Sequence, residues 1–153
     1  IGSSTGGFTQ VLLENEVSSV TCVDVGSNQL HERIKYHPKI TFFENTDIRN
    51  FQSKEIFEIV TCDVSFISIL NILNDINRLA PKDIIILFKP QFEVGTNVKR
   101  DKKGVVKDKN AILRARQKFV DSTLALNWNL KYSSLSKLQG KDGNEEELFY
   151  FSK

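Results

Sequence analysis

The sequence predicts an α/β domain: a mostly parallel sheet with helices on both faces. Three observations carry that prediction. Short apolar segments alternate with segments whose apolar residues recur at helical spacing. The run Asp83–Phe88 is almost continuously apolar, as expected of a strand buried on both faces. Glycine-rich or charged residues (Gly2–Gly7, Asp24, Asp63, Lys89) fall directly after predicted strands, where open α/β sheets take up their ligands.

Taken in order, Gly2–Gly7 reads as a loop and Phe8–Glu14 as a helix with Phe8, Val11 and Leu12 on one face. Val17–Val25 is a β-branched strand, Gln29–Lys35 a helix that stops before Pro38, and Ile40–Glu44 and Ile56–Cys62 are strands. Phe66, Ile69, Leu70, Leu73, Ile76 and Leu79 predict a helix over 66–79. After the strand Asp83–Phe88 comes a polar stretch, Gln91–Lys107. Asp108 then caps a helix over Ala111–Leu126, with Ile112, Ala115, Phe119 and Leu126 inward. Trp128–Ser133 and Leu148–Phe151 are two closing strands joined by a glycine-rich loop.

With 153 residues, the chain is long enough for one domain with a proper core. At 40% hydrophobic and 26% charged it has the composition of a soluble globular protein. No apolar run approaches the roughly 18 residues that span a bilayer, and the first residues lack the charged-then-apolar pattern of a secretory signal. Cys22 and Cys62 sit in apolar runs and read as buried core thiols in a reducing cytoplasm. His31 and His37 lack cysteine partners at metal-ligand spacing, so no metal site is expected. There is no methionine, and the first residues read as a loop that follows a strand. The expectation is therefore one domain over 1–153, cut from a longer protein, with its first strand upstream of Ile1.

Net charge is +2 but unevenly spread. Residues 1–81 carry 6 basic and 10 acidic side chains; residues 82–153 carry 15 and 9; within 95–118 the ratio is 9 to 2. A positive patch on a near-neutral domain suits a polyanionic partner; composition alone slightly favours a solvated, mobile loop.

Gly2-Ser3-Ser4-Thr5-Gly6-Gly7 precedes a helix, so backbone N–H groups can meet a closely approaching ligand. Asp24, 22 residues after Gly2 and at the end of the next strand, can accept hydrogen bonds from both hydroxyls of a ribose. A dinucleotide fingerprint would need glycine where Ser4 stands, and no Gly-Lys-Ser/Thr is present, so an adenosine cofactor without a pyrophosphate fits better. S-Adenosylmethionine is the obvious candidate. Lys89 ends a buried strand, which is costly unless the ammonium is paired. Asp63, at the end of the neighbouring strand, is the natural partner. The pair is either structural or a lysine aimed at a reacting hydroxyl. Gly143-Asn144-Glu145-Glu146-Glu147 by itself reads as an acidic turn.

Together these segments resemble the TlyA (haemolysin A) family within the FtsJ-like ribose methyltransferases. The likeness runs in order through residues 1–9, Val23-Asp24-Val25-Gly26, Asp63-Val64-Ser65-Phe66-Ile67-Ser68, Lys89-Pro90-Gln91-Phe92-Glu93-Val94-Gly95, Lys103-Gly104-Val105-Val106-Lys107-Asp108 and Gly143-Asn144-Glu145-Glu146. It implies a Rossmann-like methyltransferase sheet whose last strand is antiparallel. It also implies an upstream S4-like RNA-binding domain and 2′-O-methylation of cytidine in 16S and/or 23S ribosomal RNA, on RNA or ribosomal subunits. Asp63, Lys89 and Glu146 match three members of a Lys-Asp-Lys-Glu tetrad whose first lysine would lie upstream. The cofactor site would take in Gly2, Ser3, Ser4, Thr5, Gly6 and Gly7 for the methionine moiety, Asp24 for the ribose and Asp47 for the adenine amino group, together with Phe8, Val25 and Asp63. Lys89 would act as a base or, staying charged, stabilise the developing alkoxide. Lys99, Arg100, Lys102 and Lys103 would meet phosphates. Competing readings are an RNA-binding or ribosome-assembly module without catalysis, a membrane-active haemolysin, and, weakest given Ser4, a nicotinamide oxidoreductase.

Overall fold

The predicted alternation is realised in a computed structural model that describes residues 1–80, 82–138, 140 and 143–153. Helix α1 (Gly7–Glu14) leads to β1 (Val20–Val23), a single-turn α2 (Glu32–Lys35), β2 (Ile40–Phe43) and β3 (Ile59–Cys62). Then follow α3 (Leu73–Leu79), β4 (Asp83–Phe88), a single-turn α4 (Pro90–Glu93), α5 (Lys109–Ala125), β5 (Asn129–Leu135) and β6 (Glu147–Ser152). β1 and β2 pair in parallel, as do β3 and β4. β6 lies between β4 and β5 and is antiparallel to both. The sheet is thus mostly parallel with an antiparallel last strand.

Successive strand side chains point to opposite faces, and β1 displays this in two residues. Cys22 packs with Leu30, Ile34 and Leu13 from α1, α2 and the segment between them, whereas Val23 joins the main core with α3 and α5. Helices therefore cover both faces. Asp108 caps α5 as predicted, its carboxylate accepting from the Ala111 N–H at 2.9 Å. Both cysteines are buried free thiols; burial pushes Cys22 up and Cys62 up to about 11.

Ile1 and Gly2 join the two strand groups. The Ile1 amino group donates to the Thr61 carbonyl (2.7 Å), the Asp63 N–H donates to the Ile1 carbonyl (3.0 Å), and the Gly2 N–H donates to the Val23 carbonyl (2.9 Å). This is the pattern of a parallel strand end inserted between β1 and β3. Beside it runs an apolar slot lined by Val20, Val23, Phe51, Phe57, Val60 and Leu79, among others.

The structure departs from expectation in three places. β4 buries Ile84, Ile86 and Phe88 but leaves Asp83, Ile85 and Leu87 half-buried, so only one of its faces is fully covered. The expected helix over 66–79 is broken. Phe66 adopts a left-handed φ of 67°, Ile69–Asn71 form a 3-10 turn capped by the Ser68 hydroxyl, and α3 begins at Leu73. The periodicity there reflects core packing of two short elements. The polar stretch 91–107 contains order: α4, started by Pro90 at its first position, and a bridge between Arg100 and Val106.

On the covered face, Phe119 of α5 meets Phe88, Phe149 and Phe151 at ring-centroid distances of 5.4, 5.1 and 5.8 Å. Phe119 is fully buried, so Phe119→Ala should lower the unfolding free energy by about 3–5 kcal/mol. Urea unfolding checks this, and a loss below about 1 kcal/mol would mean that the cluster does not hold α5 to the sheet.

Candidate active site

Four chemistry-bearing side chains reach one edge of the sheet because of strand direction. Asp24 follows β1, Asp63 follows β3 and Lys89 follows β4, so all three stand at the carboxyl edge of the parallel strands. β6 runs the other way. Its first residue, Glu147, pairs with Phe88 at the end of β4, which brings the preceding Glu146 to the same edge.

A cavity of about 260 Å³ opens there, lined by Gly2, Ser4, Asp24, Val25, Asp47 and Asp63 together with the 64–67 loop. Gly2 has φ +68°, and a Cβ on it would lie 2.3 Å from the Asp63 carbonyl oxygen, so only glycine lets the chain cross the end of β3 here. Ser3, Thr5, Gly7 and Phe8 instead line a second recess on the loop. Gly6 is buried, with Leu30 and Ile34 where a Cβ would sit. Asp24 accepts the Ser4 N–H on one oxygen (2.7 Å) and the Gly26 N–H on the other (2.8 Å). Each oxygen keeps acceptor capacity, so a diol could still be held. Asp47 is clamped by Arg49, whose backbone N–H and guanidinium both donate to it. Those bonds hold its carboxyl down to about 2.

The Lys89 ammonium lies 2.6 Å from Asp63 Oδ1 and 3.1 Å from Ser65 Oγ, with the lysine side chain only 13% exposed. The Asp63 oxygen has no donor at good hydrogen-bond angle, so the contact is chiefly that of two charges. Glu93 ties the two flanking loops together: it accepts from Ser68 Oγ (2.7 Å) and from the Ile69 N–H (2.8 Å). Burial nevertheless pushes its carboxyl above the ordinary glutamate range. Phe66, 92% exposed, lies tilted against Phe92 with ring centroids 5.2 Å apart and leaves most of its ring open at the cavity.

Glu146 is buried at 8% exposure and accepts from the Gln91 side-chain amide at 3.3 Å. A Cβ on Gly140 would stand 2.7 Å from its Oε1, so Gly140 lies close against the carboxylate. Among the described residues no ion pair within 4.0 Å joins Glu146 to Lys89; its link to the Lys89 segment is Gln91.

Of the four basic residues, Lys99, Lys102 and Lys103 are exposed, while Arg100 is half-buried with its guanidinium on backbone carbonyls. Sequence reasoning did not single out Ser65, Gln91, Glu93 or Asn144. All four lie inside the quoted motifs, but spacing cannot reveal a hydrogen bond between residues 24 to 55 positions apart.

The FtsJ-like methyltransferase family matches residues 1–153. The chain is 56% identical over its full length to the 23S rRNA (cytidine-2′-O)-methyltransferase TlyA of Campylobacter jejuni, covering 60% of that protein. It is 37% identical over 97% of its length to the 16S/23S rRNA (cytidine-2′-O)-methyltransferase TlyA of Mycobacterium tuberculosis, covering 57% of it. A solved Lactococcus lactis structure that carries a hemolysin label superposes with a TM-score of 0.93 at 32% identity, over 100% of this chain and 76% of that one. The chain thus spans somewhat more than half the length of these curated relatives. From the match over its whole length, the chain belongs to the FtsJ-like methyltransferase family.

Proposed function

We propose that this chain transfers a methyl group from S-adenosylmethionine to a ribose 2′-hydroxyl of ribosomal RNA, at a cytidine in 16S and/or 23S rRNA. The observation that carries this reading is a mostly buried lysine, Lys89, held 2.6 Å from Asp63 and 3.1 Å from Ser65, two residues that line a nucleoside-sized cavity. The names of the relatives, both cytidine-2′-O methyltransferases, supply the substrate class.

The residues present fit the cofactor. Gly2 and Ser4 bring backbone to the cavity, Asp24 offers acceptors for a ribose diol, and Asp47, kept ionised by Arg49, offers an acceptor for an adenine amino group. Val25 and Asp63 complete the wall, and Ser3, Thr5, Gly6, Gly7 and Phe8 set the loop's course. When bound, S-adenosylmethionine supplies an activated methyl group on a sulfonium that leaves readily. What remains for the protein is to align the hydroxyl and manage its proton. An ammonium has three N–H donors; with one on Ser65 and the charge balanced by Asp63, an N–H remains for the hydroxyl oxygen, where it stabilises negative charge as it develops. Glu146, held by the Gln91 amide at the same edge of the sheet, would add a second carboxylate to the site. Phe66 offers a face on which the target base stacks. Lys99, Lys102 and Lys103 meet the RNA backbone, an attraction that salt weakens. We further propose that the apolar slot between β1 and β3 receives a strand in the longer protein, which also carries an RNA-binding domain.

Lys89→Ala in the full-length protein should abolish transfer of radiolabelled methyl to unmodified ribosomal subunits while cofactor affinity stays within about threefold. Full transfer by that variant would remove Lys89 from the chemistry, and no transfer by the wild type would remove the proposal. Phe66→Ala should raise KM for RNA with little effect on cofactor binding, by roughly 1–3 kcal/mol of stacking; an unchanged KM refutes the stacking role. For Asp47 the depressed pKa means that the carboxylate protonates only as pH falls through about 2, so its acceptor character persists through the working range. Arg49→Ala removes the guanidinium but keeps the backbone N–H, so the midpoint should rise part of the way toward about 3.9, read by carbon NMR of the carboxyl; an unmoved midpoint would show that the guanidinium is not the cause.

A further inference from the structure

Arg100 belongs to the basic stretch, yet its guanidinium faces inward. Nη1 donates to the Val98 carbonyl (2.8 Å), and Nη2 donates to the carbonyls of Gln91 (2.8 Å) and Gly95 (3.0 Å). Both edges on which a guanidinium grips a phosphate bidentately use an Nη2 proton. With both of those protons on carbonyls, neither edge is free. The carbonyls it satisfies are those that α4 and the turn after it leave without partners.

We propose that Arg100 is a positioning residue for Glu146 and that the phosphate contacts belong to the lysines at the tip of the same arm. The proposal rests on the methyl-transfer reading above and assigns a role within that site. Arg100 fixes the backbone of Gln91, and the Gln91 amide donates to Glu146 Oε1 at 3.3 Å. The Gln91 amide oxygen is buried without a donor, and turning it toward the carboxylate would set oxygen against oxygen. The amide therefore has one favourable orientation, and it is the one that holds Glu146.

A second tie reaches the same glutamate. Arg100 bridges Val106, whose N–H donates to the side-chain oxygen of Asn144 at 3.1 Å. Asn144 is 4% exposed and stands two residues before Glu146. Between Arg100 and Val106 the arm is a built turn: Asp101 accepts from the N–H groups of Lys103 (2.8 Å) and Val105 (3.0 Å), and Gly104 takes φ +83°. Lys102 and Lys103 stand exposed at its tip. An arm that meets RNA at its tip and holds Glu146 at its base couples substrate contact to the geometry of the site.

The test uses the full-length protein, unmodified 23S rRNA transcript as probe, and two readouts: kcat at saturating RNA, and the slope of RNA affinity against salt. Lysine keeps a positive charge but cannot fork between three carbonyls. Arg100→Lys should therefore lose roughly 10- to 100-fold in kcat, with the salt slope and cofactor affinity unchanged. Lys102→Ala with Lys103→Ala should lower the slope by about two and raise KM for RNA. Gln91→Ala, which changes no charge, should repeat the kcat loss, and it serves if Arg100→Lys fails to fold. Normal turnover by Arg100→Lys or by Gln91→Ala overturns the proposal, as does an Arg100→Ala variant that lowers the slope by about one at unchanged kcat. A wild type that methylates nothing removes the underlying reading and this inference together; a methylating wild type with an indifferent Arg100 removes the inference alone.

Discussion

β4 sends Ile84, Ile86 and Phe88 into the core and then delivers a lysine at its next residue. An ammonium drawn that far out of water must be compensated, and the end of the adjacent parallel strand is a rigid place for a compensating charge. Asp63 occupies it, because β3 and β4 are in parallel register with Cys62 opposite Ile86. Two residues 26 positions apart are thus brought to 2.6 Å by the sheet itself. If either partner were removed, the other would be left partly buried and unpaired. The rest of the site is arranged around that fixed point: Ser65 on the ammonium, Glu93 drawing the two loops together, and the cavity on the Asp63 side.

The seam at Ile1 and Gly2 has a comparable standing in the fold. Two backbone bonds to β3 and one to β1 are what make the β1–β2 pair and the four-stranded group share an edge. Gly2 passes close enough to the Asp63 carbonyl that any side chain would collide. That crossing puts Asp24 and Asp63 on the same cavity, although their strands are not direct neighbours.

What the sequence revealed, and what it hid, follows from the range of the forces involved. The parallel sheet, the capped α5 and the strand-end positions of Asp24, Asp63 and Lys89 were legible because period, capping and burial are written locally. Phe66–Leu79 was misread as one helix because an apolar residue every third or fourth position also suits two short elements packed on one core. Its break at Phe66 depends on Glu93, a distant carboxylate that takes the Ile69 N–H. The two-sided burial expected of β4 failed because an apolar run reports what a strand could bury, not what stands ready to cover it. Arg100 looked like its lysine neighbours in composition, and only the carbonyls of Gln91, Gly95 and Val98 set it apart.

Glu146 shows why chain direction matters as much as strand order. Had β6 run parallel to β4, its first residues would lie at the opposite edge, and no glutamate preceding it could approach Lys89. The antiparallel register, Phe88 against Glu147, reverses that. It also means that Glu146 sits at the entrance of its strand, on a loop, where position is not guaranteed by the sheet ladder. The Asp63–Lys89 pair needs no outside support, since both residues end packed strands. Glu146 does need it, and receives it from Gln91 on one side, from the close wall at Gly140 and from Asn144 two residues earlier. Because two of those supports run into the basic arm, the least constrained member of the site is the one physically connected to the surface that a polyanion would meet.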